Sequence, residues 1–211
     1  MSNSIFNLDE LHHKHRYTKA ESAWFFSSRD ARFELSNMAG KMPLYAGLST
    51  EGLRWGSSEA LYQACKYAPD ATCLPPGKVE TPGYPANVRE RIRSMSSPFG
   101  AKATQKCAVK AGLVRPDWAD PEQEIRIHAM LWVVELKAYH NPRFRAVLRD
   151  TGDRPIVELS SKSAFWGTML VEPDGHVMVG CNVLGKLLNH VRHRLMAIEA
   201  GELSCPKGFL L

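Results

Sequence analysis

Apolar positions along this chain recur at two spacings. Between Glu122 and His140 the residues Ile125, Ala129, Met130, Trp132, Val133, Leu136 and Tyr139 return at helical spacing, which predicts a helix over 121–140 with a broad apolar face. Shorter helical patterns cover 87–95, 98–112 and 142–150, and a closing helix over 184–200 is expected to stop at Gly201. Runs that read as strands are Trp24-Phe25-Phe26, Leu53-Arg54-Trp55-Gly56, Pro155 to Leu159 and Val177-Met178-Val179. Phe33 to Met38 follows a charged turn as a further apolar run, and Gly47 to Gly52 is turn-prone. Ser57-Ser58-Glu59 opens a helix, because Ser is a preferred cap and an early Glu suits the positive helix end. This helix is expected from Ser58 to Tyr67, ending before Pro69. The stretch 68–87 holds Pro69, Pro75, Pro76, Pro82 and Pro85 and reads as a loop longer than ordinary connections. Met1 to Glu21 reads as an amphipathic helix or a mobile arm. The expected fold class is α+β, a predominantly helical single domain with a few short strands. Its body runs over 24–200, with an N-terminal arm or helix over 1–23 and a tail over 201–211.

Composition narrows the class. At 211 residues with 44% hydrophobic content the chain can build a real core, and wholesale disorder is excluded. No apolar run approaches the roughly 20 residues of a membrane-crossing helix, and the first residues lack a signal-peptide pattern. Five cysteines (Cys65, Cys73, Cys107, Cys181 and Cys205) show no C-x-x-C pair, which favours a reducing, cytoplasmic setting over a zinc ribbon or disulfide framework. The net charge of +5 fits a polyanionic ligand and equally a solvated surface with a slight Lys/Arg excess. His12-His13-Lys14-His15 lacks the framing ligands of a proper metal site, and neither a metal nor a cofactor is expected.

The helix expected at 58–67 carries most of the candidate chemistry. Glu59, Tyr62, Gln63 and Lys66 recur at i, i+3, i+4 and i+7, so they share one stripe, while Ala60, Leu61, Ala64 and Cys65 face the other side. Such a stripe is either solvent-facing or the wall of a polar pocket between Trp55 and Tyr67. A Glu there serves as general acid or base, and a partly desolvated Lys as a nucleophile toward an aldehyde or anomeric carbon. Thr151-Gly152-Asp153-Arg154-Pro155 reads as a turn before a strand, followed by Glu158 and by Phe165-Trp166-Gly167, where an indole beside a glycine offers a flat platform. Gly180 to Gly185 leads into the last helix, and Ser97 to Lys102 opens another. Both are compatible with phosphate at a helix start, but neither has P-loop or dinucleotide spacing. No Ser/His/Asp motif stands out, and His176, His190 and His193 match no nucleophile-elbow or metalloprotease pattern.

Taken in order, these clusters resemble the NADAR family, the riboflavin-intermediate N-glycosidases. The matching residues are Leu35-Ser36-Asn37-Met38, Trp55-x-Ser57-Ser58-Glu59-x-x-Tyr62-Gln63-Ala64-x-Lys66-Tyr67 and Ser97-Pro98-x-x-Ala101-Lys102. The series continues with Trp118, Thr151-Gly152-Asp153 with Glu158, Phe165-Trp166-Gly167, and Gly180-x-Asn182-x-Leu184-Gly185 with Val191-Arg192. The resemblance implies hydrolysis of an N-glycosidic bond to phosphorylated ribose or ADP-ribose. One branch of the family cleaves riboflavin-pathway intermediates. The other removes ADP-ribose from guanine in DNA, reversing DNA-targeting ADP-ribosyltransferase toxins. The Ser58 to Ala64 segment and Gly152 to Glu158 are more similar to the second branch, since the first commonly has His where this chain has Ala60. The implied partner is therefore ADP-ribosylated DNA, single-stranded by preference because a base must leave its stack to be processed, with functional pairing to such a toxin. The alternative substrate is a phosphorylated ribosyl small molecule.

By the same resemblance Lys66 forms a Schiff base with the opened ribose and Glu59 is the general acid and base. Trp55 and Trp166 are expected to border the ligand, Asn37, Gln63 and Asn182 to bind its ribose or phosphate oxygens, and Lys102 and Arg192 to hold the diphosphate. Ser36, Ser58, Tyr62, Glu158 and Gly167 complete the expected substrate-binding set. Two departures stand out. The Asp usual three residues before Trp166-Gly167 is Ser163 here, followed by Ala164, with Asp153, Asp174 and Glu158 as possible substitutes. The Pro-rich loop reads as an insertion. A non-catalytic binder of ADP-ribose is the alternative outside the enzyme class. Any grip on nucleic acid is expected from the rim of the pocket itself.

Overall fold

The structure is a computed structural model that describes residues 8–46, 52–121, 124–171 and 175–206. In chain order its elements are α1 (Leu8–His12), β1 (His15–Thr18), β2 (Ala23–Phe25), β3 (Leu44–Ala46), β4 (Leu53–Trp55), α2 (Ser58–Ala64), α3 (Val88–Arg93) and α4 (Pro98–Thr104). They continue with α5 (Lys106–Lys110), α6 (Ile125–His140), α7 (Pro142–Asp150), β5 (Ile156–Glu158), β6 (Met169–Leu170), β7 (Val177–Gly180), α8 (Val183–His193) and α9 (Leu195–Glu199). Helix outweighs strand, and the fold class is α+β. Among the described residues no helix is long and apolar enough to cross a membrane. The chain divides into two compact units, one from Met1–Ser36 with Arg143–Glu202 and the other from Asn37–Pro142 with Leu203–Leu211.

In the first unit, β1, β7 and β6 form an antiparallel sheet in the order β1-β7-β6, while β2 and β5 pair in parallel, Ala23 opposite Ile156. The segment read as a helix or arm thus holds a short helix and then a strand, His15 opposite Gly180. His15-Arg16-Tyr17-Thr18 has no apolar alternation, so its pairing comes from the partner strand rather than from its own pattern. Helix α8 packs on β5 so closely that a Cβ on Gly185 would lie 2.1 Å from the Ile156 carbonyl oxygen, a position only glycine can occupy.

In the second unit, β3 and β4 pair antiparallel, and α2 packs against α3, α4 and α6. Most of the expected α6 face is buried, with Ala129, Met130, Trp132, Val133 and Leu136 in the core, but Ile125 is half-buried and Tyr139 exposed, and Ile127 joins the core instead. Helix α2 ends three residues before Tyr67. Its C-terminal turn tightens, with the Lys66 N–H donating to Gln63 and the Tyr67 N–H to Ala64, before Tyr67 bridges to Val114. The helix expected over 98–112 is broken at Gln105, which takes the hydroxyl of Tyr67 on its side-chain oxygen. The closing helix breaks likewise at Arg194, and its stop at Gly201 is kept with φ +72°. Phe33–Leu35 is a 3-10 turn rather than an extended run.

The Pro-rich stretch is an internally bonded loop. Its ends are joined by Cys73 N–H to the Ala86 carbonyl (3.0 Å), Val88 N–H to Ala71 (2.9 Å) and the Asn87 side-chain amide to Pro69 (2.7 Å). Arg91, fully buried on α3, donates to the carbonyls of Pro85 (2.7 Å) and Ala86 (3.1 Å). The chain therefore leaves and returns at one place, which is how a long excursion keeps its backbone groups paired. Gly47 to Glu51 of the turn-prone stretch lie outside the described residues.

Candidate active site

Helix α2 starts where Ser57 caps it, its hydroxyl accepting the Ala60 N–H at 3.2 Å. The Asn37 carbonyl takes the Glu59 N–H at 3.3 Å and the Ser58 hydroxyl at 3.4 Å, pinning the first turn to the chain that follows the 3-10 turn. Every residue of α2 is buried, and Glu59 is only 5% exposed, Tyr62 7% and Gln63 2%. The polar stripe is thus inside the unit, and the solvent-facing reading is excluded.

Burial of a carboxylate demands partners, and Glu59 has them. The Gln63 amide donates to its Oε1 at 2.7 Å, and Lys102 Nζ on α4 lies 3.6 Å from the same oxygen. Because Gln63 turns its NH2 toward the carboxylate, its own Oε1 is left buried without a hydrogen-bond partner, as is Asn37 Oδ1. The Asn37 amide donates to the Met130 sulfur at 2.8 Å.

Lys66, in the tightened turn after α2, holds its ammonium 5.8 Å from the Tyr62 ring centre and 5.9 Å from that of Trp118, two rings 5.3 Å apart. Burial lowers its pKa from the ordinary lysine value, the Glu59 charge opposes this, and the Lys102 charge adds to it. Burial, then the Glu59 charge, raises the pKa of Tyr62. A half-buried amine, a fixed carboxylate and two aromatic walls are the parts that nucleophilic capture at an electrophilic carbon requires. Trp55 is buried at the end of β4 in this same unit.

The other expected residues belong to the first unit. Ser36 is buried at the end of the 3-10 turn, its N–H donating to Phe33. Asn182 is buried in the left-handed region, φ 52°, and its side chain accepts the Glu158 N–H (3.1 Å) and donates to the Ile156 carbonyl (2.8 Å). It therefore clips β5 to the start of α8. The N–H groups of Val183 and Leu184 donate to the carbonyls of Phe165 (3.0 Å) and Trp166 (2.9 Å), and that of Asn182 to Gly167 (3.1 Å). The helix start considered for phosphate has its donors engaged by the 165–167 loop. Gly167 is buried, and a Cβ there would lie 2.6 Å from the Glu158 carbonyl oxygen. The Trp166 ring is half-buried, 5.1 Å from that of Phe165. Arg192 donates to the Thr151 hydroxyl (2.8 Å) and the Arg154 carbonyl (2.9 Å). Ser163, at the usual Asp position, accepts the Trp166 N–H on its hydroxyl at 3.2 Å, a turn-capping role that an Asp side chain also performs. Asp153 is exposed, and Asp174 lies outside the described residues.

Trp118 and Met130 are the site neighbours that residue reading left out of the binding set. Trp118 stood in the ordered series as a lone aromatic, but nothing in its local pattern ties it to Lys66. Among the described residues no group of three His, Cys, Asp or Glu side chains could hold a metal ion.

Comparisons with known proteins agree with one another. A family model described as NADAR domain matches residues 14–196. A riboflavin biosynthesis protein of Vibrio vulnificus is 30% identical over 148 residues, which is 70% of this chain but 33% of that protein. The chain thus spans about a third of that relative's length. An N-glycosidase of Nostoc punctiforme is 28% identical over 151 residues, 71% of this chain and 80% of the relative. The NMR structure of the E. coli protein YbiA superposes with a TM-score of 0.57 at 26% identity, covering 87% of this chain and 90% of that one. The match of the family model over most of its length, together with these relatives, shows that the chain belongs to the NADAR family.

Proposed function

We propose that this protein is an N-glycosidase that removes ADP-ribose from guanine bases in DNA, with Glu59 as general acid and base and Lys66 as the amine that captures the opened sugar. The observation that carries the reading is the Lys66 ammonium between Tyr62 and Trp118, its pKa depressed by burial, beside a Glu59 carboxylate fixed by Gln63 and Lys102. Glu59 in its acid form gives a proton to the leaving base nitrogen as the C1–N bond breaks and its electron pair goes to that nitrogen. Positive charge at C1 is then stabilised by the carboxylate left behind. The neutral Lys66 amine adds to C1 and passes one of its protons to the ring oxygen, which takes the electron pair of the breaking C1–O bond, while the nitrogen lone pair forms the iminium. Water, deprotonated by Glu59, adds to the iminium carbon and releases the sugar and the free amine.

The substrate choice rests on α2. Ala60 is 1% exposed, so the imidazole found there in the riboflavin branch has no room without repacking. The Vibrio relative's name favours a second reading, hydrolysis of a phosphorylated riboflavin-pathway intermediate. Single-stranded DNA is the proposed presentation of the base, and a DNA-modifying ADP-ribosyltransferase toxin the proposed functional counterpart.

Borohydride added during turnover is expected to reduce the iminium to a stable Lys66–sugar adduct, read by peptide mass spectrometry. Glu59→Gln is expected to lower release of ADP-ribose from modified DNA by about 10²- to 10⁴-fold, and Lys66→Ala to abolish the adduct. Full activity in both variants would refute the assigned roles, and tight ADP-ribose binding without turnover or adduct would make the protein a binder. Offering both substrates side by side separates the two enzymatic readings.

A further inference from the structure

Behind the Lys66 backbone lies a cavity of about 470 Å³, walled by Tyr67, Ala68 and Pro69 on one side, by Arg89, and by Arg115, Pro116 and Asp117 on the other. Its volume is in the range of sites that take a whole small molecule. Two of its walls are continuous with the Lys66 surroundings. The Lys66 carbonyl accepts the Arg115 N–H at 2.8 Å, and the 3-10 turn Pro116–Ala119 supplies Pro116 and Asp117 here and Trp118 to Lys66. None of Glu59, Gln63 and the Lys66 ammonium lines it.

The charges of the cavity do not balance. Arg115 forks onto Asp117, Nε to Oδ1 at 2.6 Å and Nη2 to Oδ2 at 2.7 Å, and holds that carboxyl below its usual range. Arg89 aims Nε (2.8 Å) and Nη2 at the Tyr67 carbonyl and forms no ion pair among the described residues. Its Nη1 donates to nothing described. Burial first, and the Arg115 charge, disfavour its cationic form, while Cys65 and, least of the four, Asp70 favour it. Among the lining residues two guanidiniums stand against the one carboxylate of Asp117, and Asp70, outside the lining, is the smallest of the influences on Arg89, so an anion in the cavity would favour the Arg89 cation. The remaining walls, Tyr67, Ala68 and two prolines, are apolar and suit a flat ring.

We propose that this cavity is a nucleotide subsite, in which Arg89 Nη1 takes a phosphate and the apolar walls take the base. Planar guanidiniums recognise phosphate by short charge-assisted bonds, and the cavity is too large and too apolar for inorganic phosphate alone. A free nucleotide and the terminal nucleotide of a DNA strand offer the same chemistry.

The test is titration calorimetry with AMP, made in the Lys66→Ala background so that the catalytic proposal and this one fail separately. AMP is expected to bind there, Arg89→Gln to weaken it by about tenfold or more, and Asp117→Asn to tighten it about two- to fivefold. The opposite signs distinguish an anion site from a merely structural role, which would lower stability in both variants and leave affinity alike. Asp117→Asn decides the matter alone if Arg89→Gln does not fold. Equal affinity across the variants, or AMP binding that vanishes with Lys66→Ala, would overturn the proposal. Competition by a short single-stranded oligonucleotide bearing a 5′-phosphate, but not by its unphosphorylated form, would assign the subsite to strand ends. Binding of AMP without such competition would assign it to free nucleotides.

Discussion

In the proposed mechanism Lys66 acts as a nucleophile and has to shed its proton, and the direction of its pKa shift favours that. Its pKa is lowered by burial first, and the neighbouring Lys102 charge works in the same direction while Glu59 opposes both. Replacing Lys102 by Met removes a like charge, so the Lys66 pKa rises. The limb of the pH–rate profile that needs the free amine is then expected to move to higher pH, measured as the pH dependence of borohydride adduct formation. The same shift makes a stability statement. The folded pKa lies below the unfolded value of about 10.4, so between the two the unfolded chain binds more protons and stability rises with pH. Below that window the charged, half-buried amine is a standing cost. Lys66→Met is therefore expected to raise Tm at pH 7, with a gain that shrinks as pH climbs toward about 10. A thermal-melt series against pH reads both effects.

At the level of elements, α2 governs the site because all of it is inside the second unit and its start is held by side chain and backbone together. Ser57→Ala removes the cap on the Ala60 N–H and is expected to cost about 1 kcal/mol in denaturant unfolding. It should lower turnover as well, since Glu59 sits in the first turn. In the first unit the sensitive joint is β5 against α8. Gly185→Ala places a Cβ 2.1 Å from a backbone carbonyl and is expected to destabilise by about 1–3 kcal/mol or more, seen as a lowered midpoint. The capping signals Ser57 and Ser97 were legible as sequence, and both side chains accept helix-start N–H groups, as Asn87 does without having been singled out. The interior ends of α2 and α4 were not, because a Tyr67 hydroxyl reaching Gln105 and a bridge from Tyr67 to Val114 are long-range events.

For the whole molecule, the net charge of +5 is modest, and part of the Lys and Arg complement is held in ion pairs such as Arg143 with Glu34, Arg149 with Glu199 and Arg93 with Glu90. If two or three phosphates are contacted, the logarithmic salt slope for single-stranded DNA is about −1.4 to −2.1, so affinity should fall roughly tenfold between about 50 and 200 mM salt. Fluorescence anisotropy with an unmodified oligonucleotide measures it, and a slope steeper than about −4 would reveal an extended basic surface instead.

Sequence alone determined the class of fold, the family and the order of the clusters, because those depend on local periodicity, capping residues and motif spacing. It also placed Glu59 and Gln63 on one side of one helix, since a helical period is a local property, whereas Lys66, expected on the same helix, lies in the tightened turn after α2. Tertiary structure decided that this stripe is buried, that Trp118 walls Lys66, and that Asn182, Arg192 and the start of α8 are engaged in holding the first unit together. Those outcomes turn on which side chains meet across long stretches of chain, and a one-dimensional pattern carries no record of such meetings. The Arg89–Arg115 cavity belongs to the same category: its residues lie in three separate segments, and although Tyr67 and Pro69 stood out in the sequence, only packing brings them together with Arg89 and Arg115.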